Sequence, residues 1–267
     1  MPNKEQFYQR SWDIENPNGV IVLIHGLAEH TERYQALGDF LTNNSFALMA
    51  IDLPGHGRSG GVPGHIDRFI DYHDAVKHLH KSAKQKYPDT PIFLLGHSMG
   101  GLISTHFLLK NQKLFQGALL SGAAIETPQT PPNWQVSLIT AIAKIFPKLG
   151  LLKLDAQGIS QDNNVVKKYM EDPLIFKGKL SARFITEMFF AADHCKNHAQ
   201  KINLPIFIMH GGSDTITKPE GSEYLYNTVS SKDKTLKIYE GLFHEIFNEP
   251  SAPSIYSELV EWLNSHC

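Results

Sequence analysis

The chain has 267 residues, of which 42% are hydrophobic and 19% charged, with a formal net charge of −2. That balance suits an ordinary globular protein with apolar material for one large core, and it argues against disorder. Without a basic run, or an apolar stretch of the roughly 18 residues needed to span a bilayer, neither nucleic-acid binding nor an integral membrane role is expected.

The stretch from Met1 to Asp13 is polar and mixed in charge, lacking the apolar core and cleavage site of a secretory signal. Only Cys195 and Cys267 occur, too few for a disulfide framework, so a cytoplasmic setting is expected. Val20 to Ile24 is a continuous apolar, β-branched run, the pattern of a strand covered on both faces in a parallel sheet. It empties into His25-Gly26-Leu27-Ala28-Glu29-His30. Helical spacing from Tyr34 to Leu41, a strand from Phe46 to Ile51 and a turn-rich loop from Asp52 to Gly61 follow. Phe69, Ile70, Ala75, Val76 and Leu79 then recur at helical intervals until Pro88 stops the pattern. Pro91 to Leu95 reads as a strand, Leu102 to Leu109 as a helix and Gly117 to Ser121 as a strand again.

This alternation is that of a mostly parallel, doubly wound α/β sheet. Between about Glu126 and Gln200 the rhythm is lost, and Thr127-Pro128-Gln129-Thr130-Pro131-Pro132 leads into a mainly helical, apolar-rich segment. The alternation resumes with a strand at Pro205 to His210, a helix near Pro219 to Thr228, a strand at Thr235 to Tyr239 and a closing helix at Ala252 to Asn264. The expected organisation is one domain, with core residues 1–125 and 201–267 and a helical cap, 126–200, inserted after the sixth core strand.

Chemistry concentrates at Gly96-His97-Ser98-Met99-Gly100, where a strand turns sharply into a helix. Gly-x-Ser-x-Gly in that context is a nucleophile elbow, and Gly96 and Gly100 stand where a side chain would collide with neighbouring backbone. A serine hydroxyl needs a base, and the base an orienting carboxylate. The strand ending at His210 runs into Gly211-Gly212-Ser213-Asp214, and the strand ending at Tyr239 into Glu240-Gly241-Leu242-Phe243-His244. Parallel strands would bring Ser98, Asp214 and His244 to one sheet edge, in the chain order nucleophile, acid, base. The backbone N–H groups of Met99 and Leu27 are the expected oxyanion donors. Glu126 is the alternative orienting acid, and His97, His25 and His56 are expected to fasten structure.

Metal chemistry is the competing use of 14 histidines. His244-Glu245-Ile246-Phe247-Asn248 nearly spells a zinc helix, but Asn248 stands where the second ligand belongs, and of His73, His78 and His80 only the first and last share a helical face. Neither a metal nor a cofactor is expected, since no phosphate-loop or dinucleotide glycine pattern follows a strand.

His25-Gly26-Leu27-Ala28-Glu29-His30-Thr31-Glu32-Arg33-Tyr34, Gly55-His56-Gly57-Arg58-Ser59, the elbow, Asp172-Pro173-Leu174, Gly212-Ser213-Asp214 and Lys237 to Glu245 run nearly from first strand to last. Through these words the chain resembles the monoacylglycerol lipase and lysophospholipase branch of the α/β-hydrolases. The resemblance implies Ser98, Asp214 and His244 as triad, Leu27 and Met99 as oxyanion pair, and a lipid monoester as substrate. It further implies that Glu29 and Arg33 lie near the glycerol-side head group. Apolar residues from Trp134 to Phe146 and from Leu149 to Leu152 exceed one buried stripe, as they would in a cap lining an acyl tunnel or resting on a membrane surface. The alternatives are a cap buried on the core, a short-chain carboxylesterase with the same machinery, and a catalytically silent binding protein of the same fold.

Overall fold

The computed structural model describes residues 7–127, 132–154 and 156–267. A seven-stranded sheet is formed by β1 (Gln9–Trp12), β2 (Gly19–Ile24), β3 (Phe46–Ile51), β4 (Ile92–His97), β5 (Gly117–Ser121) and, after the insertion, the strands Ile206–Gly211 and Lys234–Tyr239. Its order runs β1, β3, β2, β4, β5, Ile206–Gly211, Lys234–Tyr239, and β1 alone is antiparallel to its neighbour. β2 lies directly between β3 and β4, with Ile21 opposite Leu48 on one side and Phe93 on the other.

Every residue of β2, β3 and β4 is buried, which is why those segments read as unbroken apolar runs rather than as an alternating pattern. Alternate side chains nevertheless serve different layers. Val20, Val22 and Ile24 join Tyr72, Val76 and Leu79 of α2 (Tyr72–Lys86) and Ile103 and Phe107 of α3 (Met99–Asn111). Ile21 and Leu23 join Leu37 and Leu41 of α1 (Gln35–Asn43) and Leu259 and Leu263 of the closing helix, Ala252–Asn264. Each such aliphatic side chain contributes roughly 1.5–3 kcal/mol by leaving water. The double winding follows from strands that need cover on both faces.

The chain leaves the sheet after β5 and returns to it at Ile206. In between lie α4 (Asn133–Ile145), β6 (Gly150–Lys153), α5 (Asn163–Glu171), β7 (Lys179–Ser181) and α6 (Ala182–His198), with β6 and β7 forming a small antiparallel sheet. That two-stranded sheet has no counterpart in the sequence reading, because Leu151, Leu152 and Lys153 are exposed and their alternation carries no burial signal. The strand before the insertion is also the fifth among the described residues, not the sixth. β1, half-exposed and only four residues long, is the one strand that precedes β2 there.

α6 packs against both α3 and α4, and its Phe184, Ile185 and Cys195 belong to the main core. Burial pushes the Cys195 thiol up, so it stays protonated and inert. α4 and the β6 region instead turn apolar side chains outward: Trp134 is 65% exposed, Ile145 71% and Phe146 62%. Of the turn-rich entry to this segment, residues 128–131 lie outside the described residues. Beyond the insertion, β8 (Ile206–Gly211), α7 (Pro219–Thr228), β9 (Lys234–Tyr239) and α8 (Ala252–Asn264) complete the alternation.

Candidate active site

Because β2, β4, β5, β8 and β9 are parallel, the loops that follow them meet at one edge of the sheet. Ser98 terminates β4 and opens α3 with φ 53° and ψ −117°, a conformation an L-residue holds only when its surroundings enforce it. The enforcement is visible in the backbone. Ser98 N–H donates to the Ser121 carbonyl at 2.9 Å, and the Ser98 carbonyl accepts from Ala124 at 3.0 Å and Leu102 at 3.1 Å. A Cβ on Gly100 would strike the carbonyl oxygens of Ile24 and His25, and one on Gly96 would strike the Gly100 carbonyl and Ser104. Ser98 is 8% exposed, and its hydroxyl makes no hydrogen bond among the described residues.

His244 and Asp214 are brought together: Nδ1–H of His244 donates to Asp214 Oδ2 at 2.6 Å. Since a carboxylate only accepts, this bond fixes the tautomer and leaves the Nε2 lone pair free. Room for the ring comes from Gly122, at φ 54° just past β5, where a Cβ would sit 3.2 Å from His244 Nδ1. Asp214 is itself tightly held. Its Oδ1 accepts from the amides of Ile216 at 2.7 Å and Thr217 at 3.0 Å, while Oδ2 also meets the Thr217 hydroxyl at 2.8 Å and His210 Nε2 at 3.0 Å. Burial acts to raise this carboxyl, but the hydrogen bonds from His210 and His244 outweigh it and hold Asp214 well below the usual carboxylate range. Asp214 is therefore an anion at neutral pH.

His97 lies beside this pair, its ring centroid 4.8 Å from that of His244 and its Nδ1 3.1 Å from the Ser121 carbonyl. Burial, together with the neighbouring His244, pushes His97 down to about 4, so it stays neutral and structural as expected. His25 likewise fastens a loop: Nδ1–H donates to the Gly26 carbonyl at 2.7 Å, and Nε2 accepts from Leu53 N–H at 2.9 Å. The loop after β2 then passes through Leu27 and a left-handed Ala28 at φ 67°, whose carbonyl accepts from Phe176 of the cap at 3.0 Å. Neither the Leu27 amide nor the Met99 amide donates to another group among the described residues. Met99 also stands at the amino end of α3, where the helix dipole favours negative charge.

Glu126 forms an ion pair with Lys196 at 3.4 Å and does not reach His244, so it does not serve as the orienting acid. Glu29 and Arg33, expected near a head group, are held by protein partners. Glu29 accepts from Gly26 N–H at 2.5 Å, the Tyr34 hydroxyl at 2.7 Å and Arg33 at 3.0 Å, and Arg33 grips Glu245 in a two-pronged pair at 2.5 and 2.7 Å. The cap residue Tyr169 lies over the Arg33 guanidinium, 4.7 Å from its ring centre. These two residues thus tie the loop after β2 to the loop carrying His244 and to the cap. Of the histidines weighed as metal ligands, His73 meets His106 at 2.9 Å, His78 packs on Phe7 and His80 faces the Leu114 carbonyl.

His210, Thr217 and Glu245 escaped the sequence reading. His210 left a signal, a polar residue ending the apolar run Ile206 to Met209 where the strand is buried on both faces. Thr217 and Glu245 left none, since a threonine in a turn and a glutamate after a histidine are common.

A parallel sheet with one antiparallel edge, a strained serine where a strand becomes a helix, and a cap between two core strands describe an α/β-hydrolase. The protein is a serine hydrolase acting on carboxylic esters. A family model described as "Serine aminopeptidase, S33" matches residues 15–251, and the chain belongs to that family. It is 32% identical to a monoacylglycerol lipase of Mycolicibacterium smegmatis over 94% of this chain and 90% of the relative. Among solved structures it is similar to the monoacylglycerol lipase of Paleococcus ferrophilus, with TM-score 0.86, 32% identity and coverage of 98% and 100% of the two chains. A soluble variant of monoglyceride lipase from Saccharomyces cerevisiae, in complex with a substrate analog, gives TM-score 0.85 at 29% identity, covering 97% and 92%. The resemblance drawn from the sequence words is thereby borne out.

Proposed function

We propose that this chain hydrolyses the ester of a monoacylglycerol through an acyl-enzyme on Ser98, with His244 as base and Asp214 as its orienting acid. The observation that carries the proposal is the buried 2.6 Å hydrogen bond between Asp214 and His244, at the sheet edge where Ser98 stands strained, its hydroxyl without a hydrogen bond among the described residues. Nε2 of His244 takes the hydroxyl proton as Ser98 Oγ attacks the ester carbonyl, and the imidazolium that forms is stabilised by the Asp214 carboxylate. The tetrahedral oxyanion is met by the Leu27 and Met99 amides, each worth roughly 2.7–4 kcal/mol in such sites. His244 then protonates the leaving glycerol oxygen, the C–O bond breaks, and the same nitrogen activates the water that releases the fatty acid. A neutral His97 spares the developing imidazolium a second positive charge at 4.8 Å.

The acyl chain is assigned to a cavity of about 370 Å³ whose apolar wall is Ile125, Val136, Met188, Phe189 and Phe190, with Glu126, Asp193 and Lys196 also in its lining. It adjoins the elbow, because Ala124 also lines it and its N–H donates to the Ser98 carbonyl. The relatives named as monoacylglycerol lipases support a lipid monoester over a short-chain ester. Core residues 1–125 and 201–267 would then carry the chemistry and the cap, residues 126–200, the chain selection. The outward apolar face of Trp134, Leu138, Ile145 and Phe146 fits a cap that rests on a lipid surface, and no helix among the described residues is long and apolar enough to cross one. A chain-length series of monoacylglycerols and lysophosphatidylcholines, ranked by kcat/KM, tests the substrate. Long-chain monoacylglycerols at the head support the proposal; short-chain esters or lysophospholipids at the head overturn it. Flotation with liposomes tests the surface, Trp134→Ala/Phe146→Ala being expected to partition less than the parent, and unchanged partitioning refuting the contact.

A further inference from the structure

An imidazole at the end of a strand covered on both faces gives up its hydration and must find partners in return. His210, the penultimate residue of β8, is 0% exposed and finds them on both nitrogens. Nε2 lies 3.0 Å from Asp214 Oδ2, and Nδ1 lies 2.7 Å from the hydroxyl of Ser222 in α7. The carboxylate can only accept, so Nε2 donates toward it, while the Ser222 hydroxyl holds the ring at Nδ1.

We infer that His210 is a positioning residue for ester hydrolysis, with Ser222 behind it, acting through the Asp214 carboxylate on His244; the inference rests on the triad proposed above. Two imidazoles donate to one oxygen, His244 at 2.6 Å and His210 at 3.0 Å. The remaining contact to Oδ2 comes from the Thr217 hydroxyl. Thr217 has one hydroxyl proton, and it lies 2.8 Å from Asp214 Oδ2 and 3.0 Å from the Gly122 carbonyl. Nε2 of His210 lies 3.0 Å from Oδ2, against 3.2 Å from the Thr217 hydroxyl and 3.3 Å from the Thr217 carbonyl, so the carboxylate is its nearest acceptor. His210 keeps the carboxylate in place when the pull of His244 changes as that ring gains and loses the Ser98 proton. A purely structural role, filling the strand end and facing the Thr217 carbonyl at 3.3 Å, would leave catalysis indifferent to the donor itself.

The test uses the full chain and an activated long-chain ester. His210→Phe keeps a ring but removes the donor; His210→Gln retains an amide N–H at the reach of Nε2. The phenylalanine variant is expected to lose kcat by roughly tenfold, the worth of one hydrogen bond to a charged group, with KM within about twofold. The glutamine variant is expected to recover most of that loss. Wild-type kcat in His210→Phe, or equal loss in both variants, would overturn the inference. Should His210→Phe not fold, Ser222→Ala carries the same question, with roughly a threefold fall in kcat at unchanged KM expected as the ring loses its anchor; no fall overturns the inference. Asp214→Asn, run alongside, separates the two proposals. If it retains wild-type kcat the triad itself is wrong, whereas its inactivity beside indifferent His210 variants refutes only the role of His210.

Discussion

Replacing Asp214 by asparagine perturbs a single atom whose surroundings fix the outcome. The amides of Ile216 and Thr217 hold Oδ1 at 2.7 and 3.0 Å, so the asparagine carbonyl must take that place and its NH₂ must fall where Oδ2 was. There it faces His244 Nδ1 at 2.6 Å and His210 Nε2 at 3.0 Å, donors opposite a donor. Two charge-assisted bonds at roughly 1.5–3 kcal/mol each put the loss near 3–6 kcal/mol, about 10² to 10⁴ in rate. His244 can relieve the clash by moving its proton to Nε2. That repairs the hydrogen bond and worsens catalysis, because the nitrogen proposed to take the Ser98 proton is then a donor. The upper end, about 10⁴ in kcat, is expected, as when the acid of a serine triad becomes an amide. Steady-state hydrolysis of an activated ester by protein shown to be folded measures it. A kcat within tenfold of wild type would refute the reasoning.

Gly100→Ala should destabilise the fold by about 2–3 kcal/mol, because the added Cβ meets two backbone carbonyls that cannot move aside; urea unfolding reads this, and an unchanged midpoint would contradict it. Gly122→Ala should lower kcat far more than it raises KM, since its Cβ would stand 3.2 Å from His244 Nδ1 and displace the ring. Glu29 carries a pH signature: burial acts to raise its carboxyl, but the Arg33 charge, with the nearby histidines and the Tyr34 hydrogen bond, outweighs this and holds it at about 2, against 4.5 unfolded. Its stabilisation is complete above pH 4.5 and is lost as pH falls through about 2, because there the unfolded chain binds the proton more readily. Thermal melts of Glu29→Gln should therefore fall less steeply than those of the parent in that window, and parallel curves would refute the assignment.

The sheet was legible because strands buried on both faces show as apolar runs, and the loops after β4, β8 and β9 each carried a chemically distinctive residue. Strand direction then placed Ser98, Asp214 and His244 on one edge without further information. What stayed hidden depends on partners distant in sequence. Arg33 in an exposed-looking Thr31-Glu32-Arg33 turn gives no hint that Glu245, more than two hundred residues away, will close on it. The pairing of β6 with β7 is equally silent, since β6 is largely exposed and β7 has only three residues, too few to show a period. His210 stood in view but read as the last residue of an apolar run, because a single buried polar residue declares its role only through its neighbours.

Rapid quenching of the protein with an activated long-chain ester, followed by mass analysis of the peptide that contains Ser98, tests the proposed chemistry most directly. The expected result is one acyl group on Ser98, formed in a burst, absent from Ser98→Ala and accumulating no further at steady state. Turnover at the wild-type rate in Ser98→Ala, or an acyl group carried by another residue, would contradict it.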